Sequence, residues 1–169
     1  CWSSSRGDRL NIPSGDGEPL PPDEALALAQ QMGKVVMGQR LKLPARKILA
    51  SFFSPPVLLT KGELVLRQRQ ISNGVLVVLE GELTEQVDLV ESRVVNRKTP
   101  GMAIGEMGLL QGSTESSACT LVRQYNTFVA SDTALITVLT FERLASFNHL
   151  HPKLGSTILR RVIRKFLID

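Results

Sequence analysis

The spacing of apolar positions changes twice along this chain. Between residues 23 and 53 apolar side chains recur at helical intervals, and from Val57 they fall into short runs separated by turn residues. After residue 140 the helical spacing returns. The pattern therefore predicts helices, then an antiparallel sheet structure, then helices.

The N-terminal part is expected to hold two helices. Asp23 has the composition of an N-cap ahead of residues 24–30, and Pro44 suits the first turn of a second helix over residues 45–53. Pro55 and Pro56 end that helix.

The middle of the chain has the short strands and frequent turn signals of an antiparallel roll. Lys61-Gly62 and Asn73-Gly74 are typical turn pairs. The predicted strands are residues 57–60, 64–67, 75–80, 83–87, 93–96, 118–122, 127–130 and 134–140. The predicted fold class is mostly β with flanking helices, a jelly-roll-like β roll.

The C-terminal part is predicted to be helical again. Residues 141–150 form one helix that stops before Pro152, and a final helix has an apolar face opposite a basic face. The predicted division is a flexible linker over residues 1–22, a helical segment over 23–53 and the roll with its last helices over 54–169.

Composition and charge indicate a single domain and give no sign of a nucleic acid partner or a membrane span. A chain of 169 residues with 43% apolar content can bury one good core, and a net charge of +4 without a long basic tract does not predict a nucleic acid partner. Cys1 and Cys119 are expected to be free thiols. No apolar run reaches the roughly 20 residues of a membrane span, so the fragment is expected to be soluble. The start at Cys1, without Met, suggests a piece of a longer protein.

The glycine-rich segment, residues 100–110, is the main candidate for chemistry. Gly101, Gly105 and Gly108 free the backbone so that peptide N–H groups can converge, and Glu106 is the single acid there. Such a segment suits a small polar ligand with hydroxyl groups. The alternative is that Glu106 only caps nearby backbone N–H groups.

No arrangement typical of an enzyme is found. His149 and His151 lie two residues apart at a predicted helix end without a third metal ligand. Ser113, Ser116 and Ser117 have no His and acid to activate them, although their loop could accept a phosphate. The sequence therefore predicts a non-catalytic protein.

Several motifs together resemble the cyclic-nucleotide-binding domain family. Gly62-Glu63 with Arg67-Gln68, the hairpin of residues 77–83, the glycine-rich segment and the two last helices occur in the family's order. The resemblance spans roughly residues 43–168 and implies a β roll whose glycine-rich segment holds a cyclic nucleotide. It implies that Gly105 and Glu106 meet the ribose 2′-hydroxyl. The predicted ligand-binding residues, expected to form a weak or vestigial site, are Gly105, Glu106, Met107, Gly108, Ser116, Ser117 and Arg123.

The resemblance also implies an Arg that meets the cyclic phosphate, and its position is ambiguous. An ungapped count from Glu106 gives Glu115, and one residue of slack gives Ser116. Alignment on the last predicted hairpin gives Gln124 instead, next to Arg123. Because strand side chains alternate, Arg123 is expected to point outward as a solvated charge unless a bulge intervenes.

Two functional hypotheses follow from the ambiguous Arg. Loss of an Arg–phosphate contact removes roughly 1.5–3 kcal/mol, which costs at least about tenfold in affinity. The leading hypothesis is therefore a regulatory module with weak or absent nucleotide binding and no cofactor. The alternative is a working sensor of cyclic AMP or cyclic GMP that uses Arg123.

A further resemblance concerns the parent protein. Residues 23–29 look like the helix that ends the STAS domain of SulP-type (sulfate permease) transporters, some of which carry a cytoplasmic domain of this kind. This resemblance implies the cytoplasmic domain of an integral membrane protein involved in anion transport. The partners that it implies are other domains of the same chain, namely a STAS domain and a transmembrane part. A homodimer with a second copy is a separate alternative. A transcription factor would need a helix-turn-helix beyond Asp169.

Overall fold

The computed structural model describes residues 20–35, 37–87, 93–106 and 122–168, with side chains up to residue 164. Within these ranges the helices are α1 (Pro22–Gln31), α2 (Leu43–Ala50), α3 (Phe141–Leu150) and α4 (Pro152–Ile168). A 3-10 turn, Met32–Lys34, follows α1. The helices predicted at both ends are present.

The start of α1 differs from the prediction. Pro21 is the N-cap and Pro22 the first helical residue, so Asp23 lies inside the first turn with Glu24. Proline suits this place because its fixed φ fits the helix and its missing N–H would have no intrahelical partner. The two carboxylates instead face the positive end of the helix dipole.

The strands agree with the predicted pattern, with small shifts at their ends, except that a two-residue strand, Ala103–Ile104, lies in the glycine-rich segment where no strand was predicted. They are β1 (Val57–Thr60), β2 (Leu64–Leu66), β3 (Gly74–Glu80), β4 (Leu83–Val87), β5 (Arg93–Lys98), β6 (Ala103–Ile104), β7 (Asn126–Val129) and β8 (Thr133–Thr140). β5 extends to Lys98 because Lys98 pairs with Leu83. The strand predicted over 118–122 lies outside the described residues except for Val122, which bridges Ile71.

Two four-stranded antiparallel sheets form the β roll. One has the order β1-β8-β3-β6 and the other β2-β7-β4-β5. This architecture with its flanking helices confirms the predicted fold class.

Strand β3 joins two hydrophobic cores. Val75 and Val77 pack with the helices, whereas Leu76 and Val78 face the core between the sheets. Successive strand residues point to opposite faces, so β3 is buried on both sides and its sequence is a continuous apolar run.

The N-terminal helical segment packs on the roll. Leu28 and Met32 belong to the same cluster as Leu139 and Phe147. Leu20, which falls at the end of the predicted linker, is also buried there. Residues 1–19 of that linker lie outside the described residues.

Candidate ligand-binding pocket

A cavity of about 260 Å³ opens at one end of the roll. Residues of β2, β4, β5, β6 and β7 line it, together with the segment 122–125 that leads into β7. Side chains from both sheets therefore enclose one space.

The floor of this cavity is one row of side chains across the second sheet. The register pairs Leu66 with Thr127, Thr127 with Glu85, and Glu85 with Asn96, on four neighbouring strands. All four residues line the cavity. Residues paired directly across antiparallel strands share a face, so the row is apolar at β2 and polar from β7 to β5.

Gly105 forms the opposite wall, directly after β6. Its φ is +91°, in the region that favours glycine. A Cβ there would collide with the Nη1 of Arg123 and lie 2.9 Å from the carbonyl oxygen of Gly74. Glycine at this position therefore permits both the backbone turn and the close approach of the guanidinium.

The side chain of Arg123 is folded into the cavity. Arg123 is 9% exposed, and its Nη2 donates to the Gly74 carbonyl oxygen at 2.8 Å. Its backbone is also fixed, because its N–H donates to the Gln70 oxygen and its oxygen accepts from the Arg69 N–H, both at 2.8 Å. Hydrogen bonds therefore fix both the backbone of Arg123 and its guanidinium, which lies beside Gly105.

The expectation that Arg123 is an outward, solvated charge is therefore wrong. The prediction assumed that residue 123 belongs to a strand whose side chains alternate. Strand β7 begins only at Asn126, and residues 123–125 are irregular backbone. Alternation does not apply to such a segment, so the adjacent sequence position does not dictate the direction of the side chain.

The Glu85 carboxylate acts on the charge of Arg123. Burial lowers the pKa of Arg123 by penalising the charged form, while the Glu85 carboxylate works in the opposite direction. An arginine keeps its charge at neutral pH, since its ordinary pKa lies far above neutrality. The cavity therefore contains a buried cation with a carboxylate across from it.

Glu85 itself is held in place by two donors from β5. Glu85 is 5% exposed, and its Oε2 accepts from the Asn96 Nδ2 at 3.0 Å and lies 3.7 Å from the Lys98 Nζ. Both contacts are made by the same carboxylate oxygen. The arrangement fixes the orientation of the carboxylate in the floor.

The predicted site residues are placed in part. Gly105 and Arg123 line the same cavity, and the half-buried Glu106 follows Gly105. Met107, Gly108, Ser116 and Ser117 lie outside the described residues. The side chains of Glu85, Asn96 and Lys98 were missed, and of these only Glu85 could be suspected from the alternation of the predicted strand 83–87.

Comparison with solved structures places the fold. The N-terminal domain of a transcriptional regulator from Streptomyces coelicolor A3(2) matches with a TM-score of 0.66 and 17% identity, over 80% of this chain and 90% of that one. A cyclic nucleotide-binding domain from Methylobacillus flagellatus matches with a TM-score of 0.65 and 17% identity, over 85% of this chain and 76% of that one.

The regulatory domain of Toxoplasma gondii PKA, crystallised with cAMP, is similar too. Its TM-score is 0.61 at 14% identity, over 84% of this chain and 51% of that one, so this chain spans about half its length. No family model and no curated protein matches the chain. At these identities the comparisons establish the fold, which is that of the cyclic-nucleotide-binding domains.

Two kinds of feature are absent from the part of the chain that the structure describes. None of its helices is both long and apolar enough to cross a membrane. Within the same ranges, no three His, Cys, Asp or Glu side chains are grouped as metal ligands would be.

Proposed function

We propose that this chain is a non-catalytic regulatory domain that binds a cyclic nucleotide, with Arg123 as the cation for the cyclic phosphate. The observation that carries the proposal is the buried guanidinium of Arg123 beside Gly105. Gly105 and Glu106 are the residues that the family resemblance assigns to the ribose. Arg123 provides the positive charge for the cyclic phosphate, whose position in the sequence was ambiguous.

The energetics of burial favour this assignment. A charge removed from water costs several kcal/mol unless it is paired and hydrogen-bonded. The Gly74 carbonyl and the Glu85 carboxylate repay part of this cost for Arg123. A cyclic phosphate carries one negative charge, and charge-assisted contacts between guanidinium and phosphate are among the stronger hydrogen bonds in proteins.

The similarity to a regulatory domain crystallised with cAMP supports the choice of ligand class. At 14% identity this similarity supports the fold alone. The ligand of this chain is our proposal.

A regulatory module with weak or absent nucleotide binding is the second candidate. The observation that favours it is the hydrogen bond from the Arg123 Nη2 to the Gly74 carbonyl oxygen, because it engages a donor that a phosphate would need. Glu85 also offsets part of the positive charge. Such a module would act through contacts with neighbouring domains.

Calorimetric titration with cyclic AMP and cyclic GMP distinguishes the two candidates. We expect binding in the low-micromolar range or tighter for at least one nucleotide. Arg123→Gln should weaken that binding at least about tenfold, because one charge-assisted contact to phosphate is lost.

Arg97→Gln provides the matched control. Arg97 is an exposed arginine that pairs with Glu82 at 2.8 Å, so its replacement changes the net charge equally but leaves the pocket intact. If the chain binds neither nucleotide, or if Arg97→Gln weakens binding as much as Arg123→Gln, Arg123 is not the phosphate cation.

We further propose that the domain faces the cytoplasm as part of a larger protein. A SulP-type transporter is the specific candidate, and it rests on the resemblance of residues 23–29 alone. None of the matched structures named above is a transporter. A STAS domain encoded directly before Cys1, after a series of apolar spans, is the expected finding in the full-length sequence.

A further inference from the structure

The polar floor of the pocket is not explained by phosphate binding alone. Glu85 is a nearly fully buried carboxylate that faces the same space as Arg123. A ligand that delivers its phosphate to Arg123 must also place some other group against Glu85. The chemistry of that group decides which nucleotide the pocket prefers.

The orientation of Glu85 defines what it can accept. Its Oε2 accepts from the Asn96 Nδ2 and lies 3.7 Å from the Lys98 Nζ, and all three residues line the cavity. A carboxylate is an acceptor at both oxygens, and each oxygen has two lone-pair directions. The floor therefore offers acceptors at Glu85 and a cationic donor at Lys98 next to them.

Guanine complements this order of groups better than adenine does. The Watson–Crick edge of guanine presents two adjacent N–H donors, N1–H and the N2 amino group, followed by the O6 acceptor. The edge of adenine presents one amino donor and the N1 acceptor. Both bases can pair one donor with Glu85 and one acceptor with Lys98, but only guanine gives the carboxylate a second N–H.

We infer that Glu85, oriented by Asn96 and Lys98, is a specificity-determining residue that makes the pocket prefer cyclic GMP to cyclic AMP. This inference rests on the proposed function, since it presumes that a cyclic nucleotide enters the cavity. Hydrogen bonds to a charged group are worth about twice those between neutral groups, so the second N–H favours guanine by about tenfold in affinity. A buried acceptor left without its donor adds to the difference.

Titration of the whole chain with three ligands tests the inference without any substitution. We expect cyclic GMP to bind about tenfold more tightly than cyclic AMP. Cyclic IMP keeps N1–H and O6 but lacks the 2-amino group that supplies the second N–H, so its affinity should be close to that of cyclic AMP. Equal binding of cyclic GMP and cyclic AMP, or tighter binding of cyclic AMP, overturns the assignment of Glu85 and leaves the proposed function standing.

Glu85→Gln tests the residue itself, because the amide keeps the size of the side chain but replaces one acceptor with a donor. The ratio of the affinities for cyclic GMP and cyclic AMP should fall to near one. Glu82→Gln is the matched control, since Glu82 makes the same type of ion pair on the protein surface and should keep the wild-type ratio. An unchanged ratio in Glu85→Gln overturns the inference.

Two outcomes concern folding and the pocket as a whole. If Glu85→Gln does not fold, Asn96→Ala is the second variant, because it removes one donor that orients the Glu85 carboxylate. It should reduce the ratio of the affinities for cyclic GMP and cyclic AMP, and an unaltered ratio overturns the inference. Failure of all three nucleotides to bind the wild-type chain overturns the proposed function, and this inference with it.

Discussion

At the scale of single residues, the pocket depends on a close contact between a glycine and an arginine. Gly105 has a positive φ and stands where any side chain would strike the guanidinium of Arg123. Two separate constraints, one on the backbone and one on space, thus apply to the same position.

These two constraints can be separated by comparing Gly105→Ala with Gly62→Ala. Gly62 has a φ of +85°, and a Cβ there meets nothing within 4 Å. We expect Gly62→Ala to lower the free energy of unfolding by about 1–2 kcal/mol through backbone strain alone. Gly105→Ala should lower it further and also weaken nucleotide binding, as measured by urea denaturation and calorimetry.

The contact between Gly105 and Arg123 is refuted if the two alanine variants are equally stable and bind nucleotide equally well. Such a result would mean that the guanidinium moves aside without cost. A loss of binding in Gly62→Ala would likewise contradict the placement of the pocket, because Gly62 does not line it.

At the scale of elements, the junction of α3 with the N-terminal helices carries an aromatic cluster. Phe147 is fully buried, and its ring meets that of Phe52 edge-on at a centroid distance of 5.2 Å. His151, just after α3, lies 5.7 Å from the ring of Phe147. This cluster fixes the position of α3 against the segment that precedes β1.

Phe147→Ala should lower the free energy of unfolding by about 3–5 kcal/mol, the usual cost of truncating a buried aromatic side chain. Leu150→Ala is the control on the same helix, because Leu150 is 63% exposed, and it should change stability by less than about 0.5 kcal/mol. Thermal or urea denaturation measures both. Similar losses in the two variants would show that α3 is not packed through Phe147.

Elements whose periodicity is strong were predictable from the sequence, and irregular segments were not. α3, β1 and β4 have the predicted bounds because turn residues or a proline flank each run. The direction of Arg123 was not predictable, since it depends on backbone hydrogen bonds with the distant residues Arg69 and Gln70. A pattern with period two has no information about such a segment.

The residues of the candidate site were also predictable only where the sequence signal is local. Gly105 and Glu106 follow from a local glycine pattern. The row from Leu66 to Asn96 needs the register of four strands, and that register is set by pairing between residues up to about sixty positions apart. Inward-facing Glu85 could be suspected from alternation on β4, but its neighbours could not.

At the scale of the whole molecule, the N-terminal helices and the roll share one core cluster. Leu28 of α1 is 2% exposed and belongs to the same buried cluster as Val75 of β3 and Leu139 of β8. The boundary predicted at residue 54 therefore separates two stretches of sequence that are packed together. We expect them to unfold as one cooperative unit.

Leu28→Ala tests this cooperativity. It should lower the free energy of unfolding by about 2–5 kcal/mol, and the amides of β3 should lose protection from hydrogen exchange by the same amount as the whole chain. Circular dichroism in urea gives the global value. If the amides of β3 keep their wild-type protection, the helical segment unfolds separately from the roll.

The burial of β3 on both faces affects how its register against the neighbouring strands is determined. A strand with one wet face cannot slide by a single position, because sliding would expose its apolar side chains. The six consecutive residues from Gly74 to Leu79 are all buried, so a shift of one position would still leave apolar side chains on both faces away from water. Burial therefore does not fix the register of β3. The strand must be located by its ends. At one end, a Cβ at Gly74 would lie 2.8 Å from the Cα of Thr140, so only glycine fits there. At the other end, the irregularity between Val78 and Glu80 interrupts the pairing with β8. These two features fix the register of β3.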